Sequence, residues 1–291
     1  MRIDFRKLWQ MPAPDIPEKE IDEAYQAFAA RIERSSRRDP QRWTRRIGIA
    51  AAMVSLIAVG FGSGAAFQSF SPGKSVVWKE LSVPYGRTDT LALADGTVLL
   101  ANAGTTVLYP DAFSGRNREI HFIGEVYLAV AHDPKHPFLV HTQSSVIRVT
   151  GTKFNVRSYP RESSISTYLE EGSIQVTLPN LEQSIRMVPG KVLNYDKETG
   201  EIALQNIPEH MQPAWHKGEF DAYHKTFRQI ADDLERRFNV RIDIDDKALA
   251  DRMFYASFVN GEEVSRILEA MNMNHEFRVR QKGDSYFVST Y

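Results

Sequence analysis

The 291-residue chain contains no cysteine. This excludes disulfides, thiolate metal centres, cysteine nucleophiles and an acylated lipoprotein anchor together. An excess of charge of either sign is also missing. Thirty-six Lys and Arg oppose 37 Asp and Glu, for a net charge of -1, so there is no basic balance of the kind that holds nucleic acid directly. The motifs of common chemistry are absent as well: no P-loop, no dinucleotide fingerprint, no G-x-S-x-G elbow and no H-E-x-x-H. The residues therefore predict no catalytic site, no cofactor and no metal, and place the function elsewhere.

What is present is one long stretch without charge. No charged residue occurs from Ile47 to Gly73, and residues 47–67 are dominated by apolar and small side chains. As a helix these 21 residues would reach about 32 Å, enough to cross a hydrocarbon core of about 30 Å. Arg31, Arg34, Arg37, Arg38, Arg42, Arg45 and Arg46 precede the stretch, and the first basic residue after it is Lys74. Positive charge is retained inside, with Arg42, Arg45 and Arg46 the nearest determinants, so the N-terminal tail is expected in the cytoplasm and the remainder outside. A cleaved signal peptide is the rival reading. Its apolar core is normally shorter and nearer the start of the chain. The expectation is a single-pass anchor at 47–67, a tail at 1–46 and a linker at 68–75. Gly60/Gly64 and Gly48/Ala52 have small-xxx-small spacing, which permits close helix packing.

In the tail, Asp15-Ile16-Pro17-Glu18 reads as a helix start. Ile21, Tyr25, Phe28 and Ile32 then recur on one helical face. A short helix cannot bury such a stripe alone. The membrane surface, a second copy or a groove on a cytoplasmic protein would each cover it.

About 220 residues follow the anchor, enough for one large or two modest domains. From 76 to 206 the pattern has period two. Thr90 to Leu93 leads through Asp95-Gly96 to Thr97–Leu100; Glu119 to Ile123 leads through Gly124-Glu125 to Val126–Val130. Phe138–Val140, Ser145–Val149, Phe154–Val156, Ser164–Leu169, Ile174–Val176 and Lys191–Leu193 follow. Short strands so punctuated predict an all-β sandwich or roll. From 207 to 291 the period changes. Phe227, Ile230, Leu234 and Phe238 share a helical face with Asn239 as stop, and Val240, Ile242 and Ile244 alternate as a strand. Val264, Ile267, Leu268 and Met271 repeat the helix, and Phe277-Arg278-Val279 repeats the strand. Phe220, Ile230 and Leu234 match Phe254, Val264 and Leu268 at an offset of 34. Two β-α-β copies forming a small α/β interaction module are predicted.

Few residues invite chemistry. His132 and His136 have zinc spacing only on a helix, and Pro134 and Pro137 favour a solvent-facing turn. His121 and His141 lie in strand patterns and are expected to fill a half-exposed face. Asp95 and Glu125 each sit beside glycine at a strand junction. They suggest a carboxylate pair for glycoside hydrolysis, against the simpler reading of turn chemistry. Glu170-Glu171-Gly172 reads as a turn.

The β region also resembles a known family. Val83-Pro84-Tyr85-Gly86, Asp95-Gly96-Thr97, Asn102 with Gly104, and Tyr109-Pro110 resemble the opening of the FecR-type periplasmic sensor domain. Gly124-Glu125, Pro137-Phe138, Gly151-Thr152, Phe154-Asn155-Val156 and Glu171-Gly172 continue it in order. The 207–291 unit is similar to the domain that follows FecR regions in Bacteroidetes-type proteins, itself like the short N-terminal domain of secretins and TonB-dependent transducers. The resemblance implies an inner-membrane anti-sigma factor without enzymatic activity. Its tail would hold an extracytoplasmic-function sigma factor, with Trp9, Ile21, Tyr25, Phe28 and Ile32 as the contacts. Its periplasmic part would read the signalling domain of an outer-membrane TonB-dependent transducer and so control transcription of uptake genes. Regulated proteases would release the sigma factor. The family usually carries a longer helical region before the anchor, so the anti-sigma region here is expected to be reduced. The alternative class is a membrane-tethered periplasmic binding or scaffold module with an inert tail.

Overall fold

The computed structural model describes residues 76–208, 212–222 and 225–291. The tail, its Trp9, Ile21, Tyr25, Phe28 and Ile32, the arginines Arg42, Arg45 and Arg46, and the 47–67 segment lie outside the described residues. Among the described residues no helix is long and apolar enough to cross a membrane.

Thirteen strands build the first lobe. They are β1 (Trp78–Val83), β2 (Asp89–Ala92), β3 (Val98–Ala101), β4 (Thr105–Pro110), β5 (Arg118–Ala129), β6 (Phe138–His141) and β7 (Val146–Val149). β8 (Lys153–Ser158), β9 (Ser164–Glu171), β10 (Ile174–Leu178), β11 (Gln183–Met187), β12 (Lys191–Asp196) and β13 (Ile202–Asn206) complete it. The first half of β5 pairs with β4 and β6, and β7, β10 and β11 extend that side. Its second half pairs with β3 and β8, and β9, β12 and β13 extend the other side. All pairings here are antiparallel except β5 with β6. The sheet thus curls about one shared strand and encloses a core that includes Leu99, Phe122, Leu128, Phe138, Phe154 and Leu169.

β5 corrects the sequence reading. Gly124-Glu125 is not a break between two strands; β5 runs straight through it for 12 residues. The strand changes partners there. Its ladder with β4 ends at Ile123 and its ladder with β3 begins at Val126. Gly124 has φ +110°, and a Cβ there would lie 2.4 Å from Thr105 Oγ1. Only glycine lets the backbones approach so closely. Thr105 Oγ1 donates to the Glu125 carbonyl at 3.1 Å and accepts from its N–H at 3.0 Å, replacing ladder bonds at the crossing point. Because β5 is central on both sides, nearly all of it is buried, and the sequence lacks the alternation of a one-faced strand.

The second lobe contains β14 (Phe220–Asp221), β15 (Lys225–Thr226), α1 (Phe227–Phe238), β16 (Arg241–Ile244), α2 (Lys247–Ala250), β17 (Met253–Phe254), β18 (Ser257–Phe258), α3 (Val264–Met271), β19 (Phe277–Lys282) and β20 (Ser285–Thr290). Thr226 and Gln229 form a reciprocal capping box at the start of α1, and Asn239 ends it in the left-handed conformation at φ 53°. The two β-α-β copies expected from the repeat are present. The first strand of each copy is split in two, and these halves pair with each other, β14 with β18 and β15 with β17. The closing strands flank β20, β16 parallel and β19 antiparallel. Phe227 packs against Phe254 and Phe277 at centroid distances of 5.4 and 5.2 Å, so both copies share one core.

Candidate functional site at the junction of the two lobes

The residues of the sequence motif divide into three structural groups. The first closes turns. Asp95 and Gly96 form the β2–β3 turn, with Asp95 accepting from the Thr97 N–H at 3.0 Å and the Thr97 hydroxyl at 2.7 Å. Gly172 turns between β9 and β10 at φ +93°, beside an exposed Lys153–Glu171 ion pair. The second group holds a loop. Arg118, 3% exposed, pairs with Asp95 at 2.6 Å, donates to the His136 and Ala131 carbonyls, and lies 5.3 Å from the Phe138 ring. Pro137 accepts from the Arg118 N–H, which joins β5 to the segment entering β6. Tyr109 and Pro110 end β4 opposite β1, Gly151 abuts His132, and Thr152 donates to the Ser173 carbonyl. Phe154 and Val156 are core residues.

The third group converges. Glu125 is 4% exposed. Asn102 and Asn155 each donate to its carboxylate at 2.9 Å, and Arg157 reaches it at 3.3 Å. Asp95 and Glu125, weighed together as a catalytic pair, are therefore held in separate networks with different cations. Each is committed to structure: Asp95 to its turn and Arg118, Glu125 to two amides and Arg157. His136 accepts or donates at Asp133 within its own turn, and His121 and His141 stack at 4.4 Å. His121 is more buried than expected of a half-exposed face, at 8% exposure, and that burial lowers its pKa to about 4. Among the described residues no group of three His, Asp or Glu is arranged to hold a metal ion.

Arg157 carries the Glu125 network into the second lobe. Its guanidinium meets Glu162 at 2.6 Å and Asp233 of α1 at 2.5 Å. Asp233 also binds Arg236 at 2.6 Å and Lys225 at 3.0 Å, and Arg236 returns to Glu162 at 2.9 Å. Arg236 lies 4.0 Å from the Tyr159 ring, and its carbonyl accepts from the Gly86 N–H. Burial alone would raise the Asp233 pKa, but Arg157, Lys225 and Arg236 override it and hold the carboxyl far below its usual range. Burial opposes the charge on Arg157 too, yet Asp233, Glu162 and Glu125 raise its pKa well above the ordinary value. Asp232, next to Asp233 in the chain, shows the contrast: there burial prevails and the pKa rises.

The connection between the lobes docks on the same place. Trp215 Nε1 donates to Asn155 Oδ1 at 2.8 Å, and His216 stacks on Tyr127 at 4.1 Å. Asn155 therefore spans the junction, with its amide nitrogen on Glu125 and its amide oxygen on Trp215. A cleft of about 1090 Å³ opens alongside, walled by Asn194 and Gln205 from the first lobe, Gln229 and Arg236 from α1, and Asp284 and Tyr286 from the second sheet.

Sequence reasoning found Glu125, Asn102 and Asn155 but missed Arg157, Glu162, Lys225, Asp233 and Arg236. One signal was available. Asp233 adjoins Leu234 and lies three residues after Ile230, so a charge falls at the margin of the helix's apolar stripe.

The class is thus a two-lobed β-rich module whose halves meet through buried charge. The FecR protein profile matches residues 80–175 and the FecR C-terminal profile matches residues 220–288, one on each lobe. The chain belongs to the FecR family of anti-sigma-type regulators, a regulatory and non-enzymatic kind of protein. Two solved structures from Parabacteroides distasonis ATCC 8503 are similar, each a provisionally named anti-sigma factor. One is 26% identical with a TM-score of 0.70, over 74% of this chain and 100% of that one. The other is 27% identical with a TM-score of 0.69, over 73% and 99%. No curated protein matches the chain.

Proposed function

We propose that this FecR-type regulator is a single-pass inner-membrane anti-sigma factor. Residues 1–46 bind an extracytoplasmic-function sigma factor in the cytoplasm, residues 47–67 span the membrane, and residues 76–291 read the signalling domain of an outer-membrane TonB-dependent transducer. The observation that carries this reading is the match of both FecR profiles, in order, on two lobes similar to the Parabacteroides distasonis proteins. The arginine-flanked apolar stretch supports the topology. The junction suits a relay, because docking on either lobe acts on charges that the other lobe must neutralise.

The test is recovery of the full chain from native membranes through a C-terminal tag, with a reporter for the associated sigma factor. A sigma factor in the eluate, lost with Tyr25→Asp and Phe28→Asp, is the expected result. A transducer recovered without any sigma factor, and a reporter indifferent to deletion of residues 1–40, would replace this reading with that of a tethered periplasmic scaffold. Protease digestion of the tail in intact spheroplasts would overturn the topology.

A further inference from the structure

The sheet formed by β16, β20 and β19 is covered on one side only. Tyr286, Val288, Ile242 and Phe277 face the lobe's core, whereas Phe287 and Tyr291 are 37% and 68% exposed. β19 is an outer strand of this sheet, and five of its six residues are exposed. Register places Arg278, Arg280 and Lys282 opposite Ser289, Phe287 and Ser285, so all three cations share the uncovered face. Arg278 lies 4.5 Å from the Tyr291 ring and Arg280 6.0 Å from the Phe287 ring. Among the described residues none of the three cations has a carboxylate partner. A shallow hollow on this face runs from Asp243 on β16 and Asp245 just beyond its end, across Phe287, to Arg278 and Arg280.

An unpaired strand edge offers a row of backbone donors and acceptors to an incoming strand. Three like charges at alternate positions repel the same edge of a second copy and attract carboxylates at the same spacing. We propose that the β19 edge is the docking site for an extended acidic segment of a partner protein. The segment adds as a fourth strand, with Asp or Glu at alternate positions facing Arg278, Arg280 and Lys282. This rests on the sensing role proposed above and names the surface and the chemistry that would perform it.

The test places a photo-crosslinking benzoylphenylalanine at Gln281, and separately at the exposed Tyr255 between β17 and β18 and the exposed Leu204 on β13, in the full chain in its native membranes. Crosslinking at 281 to a segment with alternating acids is expected. The triple variant R278E/R280E/K282E should reduce it at least about tenfold while the melting temperature changes little, and acid-to-lysine changes in the captured segment should restore it. Crosslinking at 255 or 204 in place of 281, no crosslink at 281, a second copy as the captured species, or indifference to charge reversal would each overturn the proposal. A captured acidic segment that belongs to no outer-membrane transporter would leave the docking site standing and overturn the sensing role instead.

Discussion

The two lobes of this molecule dispose of their apolar and charged groups in opposite ways. The β-lobe is the larger, yet among the described residues it contains five of the twelve exposed large hydrophobics; the smaller α/β lobe contains the other seven, among them Tyr255, Val259, Met273, Phe287 and Tyr291. The β-lobe closes its curled sheet round one core and uses buried charge to fasten its own turns, as Arg118 does with Asp95. The α/β lobe leaves one sheet face uncovered and contributes its buried charges, Asp233 and Arg236, to the junction. The difference teaches that the β-lobe completes its own core, whereas the α/β lobe leaves apolar surface uncovered. A lobe that meets its neighbour through ions and hydrogen bonds gives up less on separation than one sharing an apolar core, because water solvates the released charges.

That contrast can be broken in stages. The largest effect is expected from Phe154→Ala in the β-lobe core, which should cost about 3–5 kcal/mol through lost burial and the cavity left behind. Urea unfolding of the described region checks it. Phe227→Ala should cost a similar amount, but should move the signals of the α/β lobe alone. One shared transition for both variants would show that the lobes are not separable.

Asp233→Ala comes next. It strips the shared carboxylate from Arg157, Lys225 and Arg236, and uncompensated buried charge of this kind costs about 3–5 kcal/mol at the upper end. The junction should open, read as increased hydrogen exchange at Asn155, Trp215 and the second turn of α1. Glu125→Gln should have a milder effect: its single amide oxygen can accept from only one of Asn102 and Asn155, but Arg157 loses one carboxylate while keeping Glu162 and Asp233.

His121 gives a pH test confined to the β-lobe. Its folded pKa, about 4, lies below the ordinary value of 6.5. The unfolded chain therefore takes up a proton that the folded chain refuses. Its stabilising contribution is complete above about pH 6.5 and falls as pH drops towards 4, by up to about 3 kcal/mol. His121→Phe should flatten this limb of a stability–pH curve; an unchanged curve would place the imidazole in water. The smallest effect is expected at the uncovered sheet face. R278E/R280E/K282E should alter stability by less than about 0.5 kcal/mol per site, as exposed charges commonly do.

Much of the α/β lobe was legible because its signals are local. Thr226, Gln229 and Asn239 mark both ends of α1 through bonds within four residues, and the repeat at offset 34 reports two units that pack alike. The β-lobe was legible as strands but not as a path. Gly124-Glu125 has the composition of a turn, yet it marks the place where a strand passes from one set of partners to another, and that depends on Thr105 arriving from β4. The junction was the least legible part. Arg157 and Asp233 are 76 residues apart, and nothing local distinguishes either from a solvated surface charge.

The sequence by itself determined the helix ends, the turns at Asp95-Gly96 and Gly172, the apolar faces and the order of elements, because each follows from backbone sterics and side-chain spacing over a few residues. Only the tertiary structure decided that Glu125 is buried, that Asn155 ties it to the connection between the lobes, and that six charges from distant segments neutralise one another. Whether a charge is desolvated depends on what is packed around it, and that is settled only when the chain has brought remote elements together.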